Sequence, residues 1–166
     1  MTTKEGNRHM SDQDKDTNAR PSHITLTFIG EKVAAKARLL WDQAPEICEA
    51  LVAASPMRVQ SHHGIYSGSE IAAICPQLPQ LSQDHASSDV EVGDLAYVYL
   101  FAADHHGVAE DFAEICWFYD IDARPSMFTG PAKVSVFARL EDADDFFAAS
   151  RRMRLEGAKH LEVTAS

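Results

Sequence analysis

Glu114-Ile115-Cys116-Trp117-Phe118-Tyr119-Asp120 is the stretch on which the fold turns. Its five central residues are apolar or aromatic, and acidic residues bound it on both sides. A run this short, of large and branched side chains, suits a strand buried on both faces. It is too short for a helix resting on its own apolar stripe. The stretch therefore predicts the central strand of a closed or nearly closed sheet.

Working outward, Gly93 to Phe101 reads as a strand carrying Tyr97 and Tyr99. A loop from Ala102 to Glu110, holding His105-His106-Gly107, joins it to the central strand. Beyond Asp120, Arg124-Pro125 to Gly130-Pro131 is read as a loop, and Val134, Val136 and Ala138 then alternate as a strand. Asp142 to Glu156 has the charge order of a helix. Asp142 can cap it, Asp144 and Asp145 occupy the first turn, and Arg151, Arg152 and Arg154 the last, before Gly157. Phe146, Ala149, Ser150 and Met153 form its inner stripe. His160 to Thr164 is a closing strand.

On the N-terminal side, Ile24, Leu26 and Phe28 alternate with threonines, and Val33, Ala35, Ala37 and Leu39 repeat the pattern after a turn at Gly30-Glu31. That is a hairpin. Pro45 opens a helix whose Ile47, Cys48, Leu51 and Val52 share one side, and Pro56 stops it. Met57 to Tyr66 and Ile71 to Cys75 return to period two, with a Pro, Gln and Ser loop over Gln77 to Ser88. The predicted order is β-β-α-β-β-β-β-β-α-β: a mainly β, mostly antiparallel closed barrel with two capping helices. Residues 1–21 are polar and cannot bury enough surface to offset ordering, so a disordered tail precedes a barrel domain over residues 22–166.

Composition narrows the partners. The apolar share is 45% and the charged share 24%, as in a globular domain. Acids outnumber Lys and Arg by 25 to 15, for a net charge of −10. Phosphate neutralisation needs clustered cations, so neither nucleic acid nor an anionic membrane is expected as partner. Cys48, Cys75 and Cys116 are odd in number and sit in apolar runs, which suits reduced thiols in a cytoplasmic protein.

Several segments resemble a cyclophilin-like domain, closest to a bacterial family of uncharacterised cyclophilin-like proteins. The carriers are Ala44-Pro45, the run His63-Gly64-Ile65-Tyr66-Ser67-Gly68-Ser69-Glu70-Ile71, Gly93 to Tyr97, Glu114 to Phe118, and Val134 to Glu141. The likeness covers about His23 to Thr164. It implies an eight-stranded barrel with a pocket on its outer face. In true cyclophilins an arginine follows the histidine of the third strand and bonds the prolyl amide; here Gly64 stands there. Arg58 is six residues away, roughly 20 Å along a strand, and cannot substitute. Ser69, Glu70 and Cys116 replace the apolar floor of the proline pocket. The departure from the family pattern thus implies that prolyl isomerase activity is absent or marginal.

Strand parity puts Met57, Val59 and His63 toward the core and His62, Gly64 and Tyr66 toward the pocket. The matching sets Glu114, Cys116 and Phe118 on the pocket side too, with Ile115, Trp117 and Tyr119 inward. Glu70, Glu114 and His62 are the candidate catalytic residues, because such groups can divide acid and base roles when their surroundings separate their pKa values. Tyr66, Ser69, Tyr97, Cys116 and Phe118 are the candidate binding residues. Each has a plainer reading: solvated strand-flanking carboxylates, a hydrogen-bonded core His63, a packed Cys116 thiol, and aromatics that belong to the core. No cofactor and no metal are expected, since the HExxH and CxxC spacings are missing. The two functional classes are a pocket that binds or transforms a small polar metabolite and a non-catalytic binding or assembly module. Phe118 on the outer face and Phe112 and Met127-Phe128 in loops leave two readings, a homo-oligomer contact or side chains folded back over the barrel mouths, and the first is the expectation.

Overall fold

The computed structural model describes residues 19–104 and 108–166. The expected N-terminal tail, up to residue 18, and the His105-His106 pair lie outside the described residues. Among those described, eight strands close into an antiparallel barrel. In chain order they are β1 (His23–Phe28), β2 (Val33–Leu39), β3 (Met57–His63), β4 (Glu70–Ile74), β5 (Asp94–Leu100), β6 (Phe112–Phe118), β9 (Ser135–Glu141) and β10 (Lys159–Ala165). Around the barrel they run β1-β10-β3-β4-β6-β5-β9-β2, with β2 pairing back to β1. The central strand of the sequence reading is β6, held between β4 and β5. The remaining two strands, β7 (Ser126–Met127) and β8 (Gly130–Pro131), form a two-residue hairpin in a segment expected to be a loop. Elements that short leave no periodicity to read.

Helix α1 (Pro45–Ala54) starts at its proline and buries Ile47, Cys48 and Leu51. Helix α2 (Asp144–Glu156) buries the expected stripe of Phe146, Ala149, Ser150 and Met153. Its start differs from expectation. Asp142 has φ of 48° and makes no cap; Ala143 stands at the N-cap position with no side-chain hydrogen bond. Inside the barrel Phe146 stacks on Phe28 with ring centroids 4.6 Å apart and meets Trp117 at 5.3 Å. The Trp117 indole donates to Ser150 Oγ at 3.0 Å, so the helix is pinned over the barrel by a buried polar bond as well as by rings.

The expected alternation of Val134, Val136 and Ala138 is broken. Leu95 pairs with Ala138 and Ala96 with Val136, so β9 carries an extra residue at this point. This bulge turns both Phe137 and Ala138 into the main core and leaves Val134 and Val136 outside.

Two apolar clusters result. The larger fills the barrel, with Phe28, Tyr97, Ile115, Trp117 and Phe137 fully buried. The smaller lies on the outside of the β4-β6-β5 wall, where Ala72, Ala96, Cys116 and Phe118 are covered by Ala123 and Val134. A strand wall that is dry on both faces explains why β6 carries apolar residues at consecutive positions.

A candidate acid-base pocket on the outer face of the barrel

Register across the wall defines the floor of the site. His62 on β3 pairs with Ala72 on β4, Ala72 with Cys116 on β6, and Cys116 with Ala96 on β5. This rung is made of short side chains. Glu70 stands two residues from Ala72 on one side, opposite Phe118, and Glu114 two residues from Cys116 on the other, opposite Ile74 and Val98. At about 3.3 Å per residue, each glutamate sits roughly 7 Å along the strand from the rung, at opposite ends of the floor. The two carboxyls therefore do not share a proton directly but bracket one space.

That space is a concave cavity of about 290 Å³. His62, Gly64, Tyr66, Ser67, Glu70 and Glu114 line it together with Val98, Leu100, Val108, Phe112, Met127 and Val134. Glu70 is only 7% exposed, whereas Tyr66 is 55% exposed at the rim beside Ile65. Among the described residues no Lys or Arg lines it.

Two glycines shape one end. Gly68 has φ of +71°, and a Cβ there would come 2.6 Å from the Asp122 carbonyl oxygen, so the turn before β4 requires glycine. A Cβ at Gly64 would lie 3.2 Å from Glu70 Oε2 and 3.3 Å from its carbonyl oxygen. A side chain at Gly64, where the resemblance sets the cyclophilin arginine, would therefore crowd the Glu70 carboxyl. The turn is fastened to the segment above it: Ser67 O accepts from Arg124 N at 2.9 Å, and Ser67 Oγ donates to Ser126 O at 3.1 Å.

Electrostatics follow from burial. Desolvation pushes the Glu114 carboxyl up to about 8, and the nearby Glu70 charge adds to the rise. Glu70 is raised as well by burial, while hydrogen bonds with Ser67 and Cys116 pull it back. Burial, then the neighbouring His63, lowers His62 from its ordinary value. The Cys116 thiol lies well above its usual range because it is buried and faces both glutamates. It is a packed thiol, not a thiolate nucleophile.

Of the expected site residues, His62, Tyr66, Glu70 and Glu114 line the same cavity, and four do not. Tyr97 lies inside the barrel, where its hydroxyl donates to Pro79 O at 2.7 Å; on β5 it is Val98 and Leu100 that face outward. Cys116 sits beneath the floor, and its Sγ donates to Ala96 O at 3.8 Å. Phe118 is 0% exposed in the outer cluster, so it offers neither a binding surface nor the oligomer contact expected of it. Ser69 lines a separate shallow surface with Tyr119, Asp122 and Arg154. Phe112 and Met127, also expected as association surface, are half-buried lining of the cavity. His63 is a hydrogen-bonded structural residue: its Nε2 accepts from Arg154 Nε at 3.2 Å and from the Tyr119 hydroxyl at 2.7 Å, leaving Nδ1 to donate to Gly64 O at 2.7 Å.

Among the described residues no group of three or more His, Cys, Asp or Glu could hold a metal ion, and no helix is long and apolar enough to cross a membrane. A second cavity of about 360 Å³ opens at the start of α1, with Asp42, Glu46, Asp84 and His85 on its walls.

Comparison with known proteins places the chain. Residues 25–165 match the family described as "Protein of unknown function (DUF3830)". The chain belongs to this family. The DUF3830 chain is also similar to the solution structure of a hypothetical protein from Archaeoglobus fulgidus, with a TM-score of 0.59 at 18% identity over 90% of this chain and 98% of that one. It is similar as well to McbB, solved in complex with tryptophan, with a TM-score of 0.61 at 14% identity over 85% of this chain and 44% of that one. At these identities the likeness is one of fold. No curated protein matches the DUF3830 chain in sequence.

Proposed function

We propose that the outer-face pocket binds, and by acid-base chemistry transforms, a small polar molecule. The observation that carries this is the placement of Glu70, Glu114 and His62 about one concave space. Raised carboxyls and a lowered imidazole are the arrangement from which proton donors and acceptors are drawn near neutral pH. Glu114, titrating at about 8, holds its proton at pH 7 and can release it when a ligand binds; neutral His62 fits the base. Tyr66 at the rim offers a hydroxyl to the ligand. McbB, 44% of which this fold covers, has been solved with tryptophan, and small-molecule binding here is in keeping with that.

The resemblance to cyclophilin-like proteins fits an eight-stranded barrel with a pocket on its outer wall. The isomerase reaction does not fit, because Gly64 stands at the place of the arginine, against the Glu70 carboxyl. A non-catalytic binding module is the second reading, favoured by Ile65 at 84% exposure beside Tyr66 at the mouth.

A thermal-shift screen against small polar metabolites and divalent metals tests the proposal. A ligand at a hundred times its Kd adds about 2.7 kcal/mol of stability. Hits are expected to stabilise the native chain and to lose their effect in a Glu70→Gln/Glu114→Gln variant. Hits that stabilise both proteins equally would refute the site.

A further inference from the structure

Building on that reading, we infer that the ligand is a small protonated amine with a compact apolar body, its ammonium set against Glu114. Three features of the cavity select this class. The first is charge. Among the described residues, Glu70 and Glu114 are the only acidic or basic lining residues apart from His62, and no lining cation balances them.

The cations nearby are committed elsewhere. Arg124 donates to the Ile121 and Ala123 carbonyls at 3.1 and 2.6 Å. Arg154 is turned onto His63, and Arg58 pairs with Glu162 at 2.7 Å. An anionic ligand would meet two carboxyls and no counter-charge, whereas an ammonium supplies the missing one.

The second feature is the unused acceptor. Among the described residues no hydrogen-bond donor reaches the Glu114 carboxyl, although it lies half-buried on the wall. A half-buried carboxyl on a cavity wall is free to accept from a ligand, and an ammonium brings three donors. Glu70, by contrast, is the more deeply buried of the two and lies against Ser67 and Cys116. The cation therefore belongs at the Glu114 end.

The third feature is the wall around Glu114. Val98, Leu100, Val108 and Phe112 stand beside it, a surface for hydrocarbon and not for a sugar's hydroxyls. At about 290 Å³ the space lies at the small end of ligand sites.

Proton linkage follows. The titratable groups facing Glu114 are Glu70 from β4, His62 from β3, Cys116 on its own strand, and Cys75 just after β4, whose thiol feels the Glu114 charge. With the thiols protonated and His62 neutral, binding an ammonium draws the proton off Glu114. Affinity then rises about tenfold per pH unit between pH 6 and 7.5 and levels above 8.

The test uses one carbon skeleton in three charge states: 2-phenylethylamine, 2-phenylethanol and phenylacetate, titrated calorimetrically into the full chain. The amine is expected to bind at least tenfold more tightly than the alcohol, phenylacetate not at all, and the amine's affinity to climb with pH. In Glu114→Gln the preference for amine over alcohol disappears and the pH slope flattens. If the alcohol or the acid binds as well as the amine, the amine class is wrong while the pocket stands. If none of the three binds at millimolar concentration, the amine class falls, and the separate Glu70→Gln/Glu114→Gln screen decides the pocket.

Discussion

Replacing Glu114 by Gln should stabilise this protein at neutral pH. The native carboxyl titrates at about 8 because burial, and then Glu70, disfavour its charge; in the unfolded chain it returns to its ordinary 4.5. A raised carboxyl pKa means that the folded state holds the proton more tightly. The group costs nothing below pH 4.5, costs progressively more from 4.5 to 8, and is constant above. At 1.36 kcal/mol per pH unit the cost at pH 7 is about 3 kcal/mol. Glutamine keeps the shape and the neutral polar head, so the comparison isolates the charge. For a chain of this size the gain is roughly 6–12 °C in Tm. Paired calorimetric melts at pH 4.5, 7 and 8.5 measure it. The difference should be near zero at 4.5, large at 7 and largest at 8.5. A variant no more stable than the parent at pH 7, or a difference that does not change with pH, would refute the reasoning.

Other changes probe separate parts of the structure. Gly64→Ala puts a Cβ against Glu70 Oε2 and its carbonyl oxygen and should cost about 1–2 kcal/mol in urea unfolding while weakening any pocket ligand. Prolyl isomerase turnover should be absent in a coupled proline-peptide assay, and Gly64→Arg should not create it, because the adjacent Glu70 carboxyl would pair with the new guanidinium and hold it from a prolyl amide. Turnover in the parent chain would contradict that. Ser150→Ala removes the acceptor of the buried Trp117 N–H and should destabilise by about 1–3 kcal/mol, read by denaturant unfolding followed through Trp fluorescence.

Much of the barrel was legible because period two and period 3.6 are local signals. The alternation of β1 and β2, the stripe of α2 and the doubly apolar β6 each follow from burial on known faces. What escaped was set by tertiary context. The bulge that turns Ala138 inward arises from pairing with Leu95 and Ala96, which the β9 sequence alone does not announce. Asp142 looked like a cap, yet its positive φ makes it part of the turn into the helix.

The site shows the same division. Parity assigned His62 to the outer face, the family resemblance put Glu70 and Glu114 there, and the closed register brings all three around one cavity. Tyr97 was placed there by residue type, although the alternation of Leu95, Tyr97 and Tyr99 against Ala96, Val98 and Leu100 would have sent it inward. Phe118 has the right parity and is still lost to the site, since Ala123 and Val134 close over it from a distant segment. Val108, Phe112 and Met127 were missed as lining because loops and strand starts carry no periodicity to aim them.

The central claim is that Glu70, Glu114 and His62 form a proton-handling site with displaced affinities. Its most direct test is a ¹³C NMR titration of the glutamate carboxyls and the His62 ring in the intact chain, assigned with Glu70→Gln and Glu114→Gln. The account predicts a Glu114 midpoint near 8, a Glu70 midpoint above the ordinary carboxyl range, and a His62 midpoint below 6.5. Both carboxyls titrating together near 4.5, with His62 at its ordinary value, would contradict it.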